Sequence, residues 1–76
     1  ALAIGKSANA SNSDSIAIGQ DTVSNQINSV ALGLSSQATG SSATALGAHT
    51  KATDTGAVAI GLKAEATKEG SISIGQ

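Results

Sequence analysis

Glycines recur at positions 5, 19, 33, 47, 61 and 75, fourteen residues apart each time, with no insertion or deletion. Each closes a five-residue stretch: Ala1-Leu2-Ala3-Ile4-Gly5, Ser15-Ile16-Ala17-Ile18-Gly19, Ser29-Val30-Ala31-Leu32-Gly33, Ala43-Thr44-Ala45-Leu46-Gly47, Ala57-Val58-Ala59-Ile60-Gly61 and Ser71-Ile72-Ser73-Ile74-Gly75. A fixed period of this kind means one supersecondary unit stacked on copies of itself. The chain reads as a single repeat domain over residues 1–76.

Within each stretch large and small residues alternate with period two, the pattern of a β-strand. Fourteen is also two heptads, but a coiled coil fails here. The large apolar residues stand two apart, and every period carries Gly with Ser, Thr or Asn, which are poor helix formers. After each glycine comes a short turn such as Gln20-Asp21, suited to a tight or left-handed backbone. A second extended piece follows: Ala8-Asn9-Ala10, Thr22-Val23-Ser24, Ser36-Gln37-Ala38, Thr50-Lys51-Ala52 and Ala64-Glu65-Ala66. Its outer members are small and its centre is mostly polar. A polar link such as Thr53-Asp54-Thr55-Gly56 then leads to the next strand.

The expected fold is therefore all-β, a parallel β-roll of 14-residue coils with two short strands per coil. The glycine-terminated strand is apolar on both faces, as a strand buried on both sides is. With alanines meeting inside a thin roll, the Ile, Val and Leu row faces outward as an apolar stripe, the mark of an interface. The reverse assignment, large residues inside and alanines at the interface, also satisfies the alternation. Either way the chain needs a partner surface. With 76 residues and no Phe, Trp, Tyr, Met, Cys or Pro, a lone chain has little to bury.

Net charge is −1, with four Lys and five Asp or Glu spread singly. This lacks the clustered basic footprint and stacking aromatics of a nucleic-acid binder. No apolar run approaches the roughly 20 residues of a membrane helix. Absence of Cys excludes disulfides and thiolate metal sites. His49 stands in a turn with no Ser-Asp arrangement near it. Asp14, Asp21 and Asp54 are isolated and do not supply the repeated Gly-and-Asp turns of a calcium-binding roll. Glu65 and Glu69 neighbour Lys63 and Lys68 and read as solvated surface charge. The glycines end strands and open no helix, so they form no phosphate-binding loop. No catalytic residue, cofactor or metal site is expected. Thr39, Thr53 and Thr67, with Ser11 and Asn25, share one register and form a hydroxyl-rich row.

The alternation "SIAIG", "SVALG" and "AVAIG" with "xxAxA" on a fourteen-residue period resembles the head repeat of YadA-like trimeric autotransporter adhesins, over all six copies. The resemblance implies a left-handed roll, three chains around a threefold axis, with inner strands facing the axis and polar second strands facing solvent. It implies a trimer interface at Leu2, Ile4, Ile16, Ile18, Val30, Leu32, Leu46, Val58, Ile60, Ile72 and Ile74. It further implies non-enzymatic adhesion at a Gram-negative outer membrane surface, with extracellular matrix, host cells or the head itself as partners, and no membrane contact by this piece of a head. Departures are Thr44 for a branched aliphatic, Ser73 for Ala, apolar Val23 and Ile27, and Leu34 and Leu62 after their glycines. These mark local trimer contacts or part of a ligand surface. Two competing expectations are a monomeric β-solenoid binder, for example of ice, using the Ser/Thr face, and an enzyme like the hexapeptide-repeat acyltransferases. The latter have a hexad period and a catalytic His at a subunit interface, which disfavours them here.

Overall fold

The computed structural model describes residues 1–75. Eleven short strands alternate between two sheets: β1 (Leu2–Ile4), β2 (Asn9–Ala10), β3 (Ile16–Ile18), β4 (Val23–Ser24), β5 (Val30–Leu32), β6 (Gln37–Ala38), β7 (Thr44–Leu46), β8 (Lys51–Ala52), β9 (Val58–Ile60), β10 (Glu65–Ala66) and β11 (Ile72–Ile74). The odd-numbered strands form one six-stranded sheet and the even-numbered ones a five-stranded sheet, each in sequence order. Every pairing is parallel and offset by fourteen residues, for example Ala17 with Ala31 and Ala31 with Ala45. The result is a β-solenoid whose coils stack at strand spacing, about 4.8 Å. Its Cα extents are 25 × 22 × 10 Å, a flat slab.

That thinness follows from the interior. Ala17, Ala31, Ala45 and Ala59 point inward from the larger sheet, and Ser24, Ala38, Ala52 and Ala66 meet them from the smaller one, all buried. Ser15, Ser29, Ala43 and Ala57 on one side, and Thr22, Ser36, Thr50 and Ala64 on the other, complete each layer. Sheets with branched side chains between them stand about 10 Å apart. Here the entire backbone fits within 10 Å. The assignment with small residues inside is the one adopted, because large ones would not fit.

Interior hydroxyls thin out along the axis. The coil of Ala17 has three (Ser15, Thr22, Ser24), the next two (Ser29, Ser36), the next one (Thr50), and the coil of Ala59 has none. The contiguous apolar core accordingly begins at Ala31 and runs to Ala66. The buried hydroxyls are satisfied by turn carbonyls. Ser15 Oγ donates to the Asn12 carbonyl (2.7 Å), Ser29 Oγ to Gln26 (2.7 Å), and Thr22, Ser36 and Thr50 to Gly19, Gly33 and Gly47 (3.1 Å each). Ser24 Oγ lies 2.6 Å from Ser29 Oγ and donates to the Ser29 carbonyl at 2.9 Å, joining two coils through the core.

The turns repeat every seven residues, twice per coil. Ser7, Asp14, Asp21, Asn28, Ser35, Ser42, His49, Gly56, Lys63 and Gly70 all have φ between 56° and 70°. Their amides ladder from coil to coil: Asp21 N–H donates to the Lys6 carbonyl (2.9 Å), Ser35 to Gln20 (2.8 Å), His49 to Leu34 (2.8 Å) and Lys63 to Ala48 (3.0 Å). The left-handed turn residues are thus paired from coil to coil as the strands are, which lets the coils stack without irregular loops.

The strand-ending glycine has a separate cause. Gly33 has φ of +121°, and a Cβ there would lie 2.7 Å from the carbonyl carbon and oxygen of Gly47 in the next coil. Both the backbone angle and the close approach exclude any side chain. The fourteen-residue glycine period is the trace of this contact repeated coil after coil.

Candidate functional site

Among the described residues there is no pocket and no group of three His, Asp or Glu side chains able to hold a metal. His49 is an exposed turn residue in the left-handed conformation. Asp14, Asp21 and Asp54 are exposed in three different repeats, and Glu65 and Glu69 are exposed within one repeat. The chemistry of this molecule lies in its faces.

The outer face of the six-stranded sheet carries two columns. One runs Leu2, Ile16, Val30, Thr44, Val58, Ile72; the other runs Ile4, Ile18, Leu32, Leu46, Ile60, Ile74. Parallel in-register pairing puts like on like, so eleven aliphatic side chains and one hydroxyl form a continuous surface. Within the central coils they are half-buried by their neighbours above and below. At the ends they are open, with Ile72 69% and Ile74 72% exposed. All eleven positions expected at an interface lie on this one face, and among the described residues no other element packs over it.

The five-stranded sheet presents the opposite character. Its outward column is Asn9, Val23, Gln37, Lys51, Glu65. Beside it run Ser11, Asn25, Thr39, Thr53 and Thr67, tied in register by amide bonds such as Thr39 N–H to the Ala52 carbonyl (2.9 Å) and Thr53 to Ala66 (3.1 Å). The Thr row is real but stands alone, since the column next to it changes residue type at every coil. Asn25 Oδ1 is shut from solvent with no hydrogen-bond partner.

Among the departures from the repeat, Val23 is half-buried, while Ile27, Leu34 and Leu62 are 45%, 44% and 50% exposed at turns. Ser73 sits in the half-buried interior row of the last strand. The seven-residue turn rhythm is the one regularity that reading by fourteens passes over. Its sequence trace is present: Asp14, Asp21, Asn28, Gly56 and Gly70 are residue types that tolerate φ > 0.

A parallel β-solenoid with a solvated face, an uncovered aliphatic face and an all-small interior defines a solenoid repeat module. The family described as the YadA head domain repeat matches residues 1–22, 24–50, 38–64 and 52–76, and the chain belongs to this YadA-like head family. That family is one of adhesin domains from surface-exposed trimeric autotransporters and not an enzyme family. Its heads form trimers and in general bind host matrix. Neither the curated proteins nor the solved structures searched give a match.

Proposed function

We propose that this chain is a non-enzymatic adhesion module that works as a homotrimer on the bacterial cell surface. Three aliphatic faces meet around the threefold axis, and the polar five-stranded sheets and their flanking turns face outward toward extracellular matrix, host cells or other heads. The observation that carries the reading is the uncovered aliphatic face. The roll already fills its own interior with Ala, Ser and Thr, so Ile16, Ile18, Val30, Leu32, Leu46, Val58 and Ile60 are not needed there, and stacking on one another leaves each partly open to solvent. Each Val, Leu or Ile removed from water contributes roughly 1.5–3 kcal/mol, and three copies bury three sets. The outward polar surface repeats the same backbone at every coil, which suits weak contacts multiplied by many heads per cell.

Sedimentation equilibrium with interference optics tests this, since a chain without aromatics absorbs little at 280 nm. The expected result is a folded species of three times the chain mass that binds immobilised matrix proteins. Ile18→Asp would bury three unpaired carboxylates near one axis, and loss of the trimer mass is expected. A folded wild-type monomer would overturn the reading and turn attention to the Thr39, Thr53, Thr67 row as the working surface.

A further inference from the structure

The apolar surface does not stop at the margin of the six-stranded sheet. Over three consecutive coils its second column, Leu32, Leu46 and Ile60, is followed one glycine later by Leu34, Ala48 and Leu62. Leu34 and Leu62 are about half exposed and Ala48 is half-buried. The coil-to-coil bonds His49 N–H to Leu34 O (2.8 Å) and Lys63 N–H to Ala48 O (3.0 Å) hold the three at one register on the glycine edge of the slab. On the opposite edge the equivalent turn positions on these coils are Ile27, Ser41 and Thr55, only one of them aliphatic. Single exposed leucines are ordinary. An aligned set continuous with an uncovered face enlarges a patch.

We propose that the glycine edge, through Leu34, Ala48 and Leu62, is the outer seam between protomers, covered by the aliphatic face of the next copy of this chain. The inference rests on the trimer reading above and adds its geometry. Two faces joined about a twofold axis would leave both edges equivalent and at the rim. A ring in which each chain meets the next through a different surface covers one edge per protomer and leaves the other in solvent. Over these three coils the glycine edge carries two leucines and an alanine where the other edge carries one isoleucine, and that asymmetry fits the ring.

The test compares wild type, the double variant Leu34→Lys/Leu62→Lys and the opposite-edge control Ile27→Lys by sedimentation equilibrium and far-UV circular dichroism. Wild type and control should be trimers of equal stability. The double variant should keep its β spectrum and dissociate at chain concentrations raised by at least about tenfold. A double variant that trimerises as wild type does overturns the seam, as does a control that weakens the trimer equally. A monomeric wild type overturns the trimer reading itself, and the seam with it. If the double variant does not fold, wild type with labelled leucine methyls decides, using a soluble paramagnetic probe. Methyls of Leu34 and Leu62 should be shielded as well as those of Leu32 and Leu46, and full exposure to the probe refutes the seam.

Discussion

Asn25 interrupts a column otherwise made of Ser and Thr. Its equivalents, Ser11, Thr39, Thr53 and Thr67, stand on the same outward register of the smaller sheet. A hydroxyl there can turn to whatever acceptor or water lies near. The Asn25 amide is bulkier, and its oxygen is sealed from solvent without a donor. An unmet buried acceptor costs about 1–3 kcal/mol. Asn25→Thr, which restores the column and suits a strand, should therefore stabilise the protein by about 1 kcal/mol, read as a higher thermal midpoint at fixed chain concentration. No gain would mean that the orphaned oxygen is costless. At this scale the sequence told which residues share a side, because alternation is periodic. It did not tell which side was inside, because periodicity carries no volume. The slab thickness did: alanine fits between backbones this close, and isoleucine does not.

The turns show a different limit. Strands were legible because glycine and large–small alternation repeat every fourteen residues, whereas the left-handed residue repeats every seven and is filled by Ser, Asp, Asn, His, Lys or Gly. Mixed identity hid the rhythm. Backbone pairing enforces it all the same, since each of these amides must reach the coil before it. Holding an L-residue in this region costs roughly 1–2 kcal/mol, least for Asn and Asp. Lys63 and Gly56 occupy the same conformation, φ 61° and 69°. Lys63→Gly should raise stability by up to about 1 kcal/mol, less the entropy that glycine adds to the unfolded chain, and Gly56→Ala should lower it by about 1 kcal/mol. Denaturant midpoints of the two variants at one fixed chain concentration, moving in opposite directions, check the turn assignment. Movement in one direction for both would contradict it.

For the whole molecule, the outward aliphatic face was visible in the sequence as a stripe in search of a partner. The extension around the glycine edge was only half visible, because Leu34 and Leu62 looked like scattered departures until register aligned them with Ala48. Fold and aliphatic face thus come from the same economy of side chains, the smallest residues inside and the largest aliphatic ones on the outer face of the six-stranded sheet. One consequence concerns mechanics. The backbone bonds that join coils run along the axis of the roll, and the strands lie across it. Tension applied along that axis therefore strains these bonds lengthwise, a few at a time, where a sheared sheet would share the load among all of them. A single roll pulled from its ends should unwind coil by coil. Each event would free fourteen residues and lengthen the chain by roughly 40 Å, the extended span less the rise already present. Force-extension traces of an isolated roll should show evenly spaced steps of that size, and a single large rip would contradict it. In the proposed trimer, neighbouring rolls clamped side by side would have to surrender their coils together, and the assembly would resist a pull that a single roll does not.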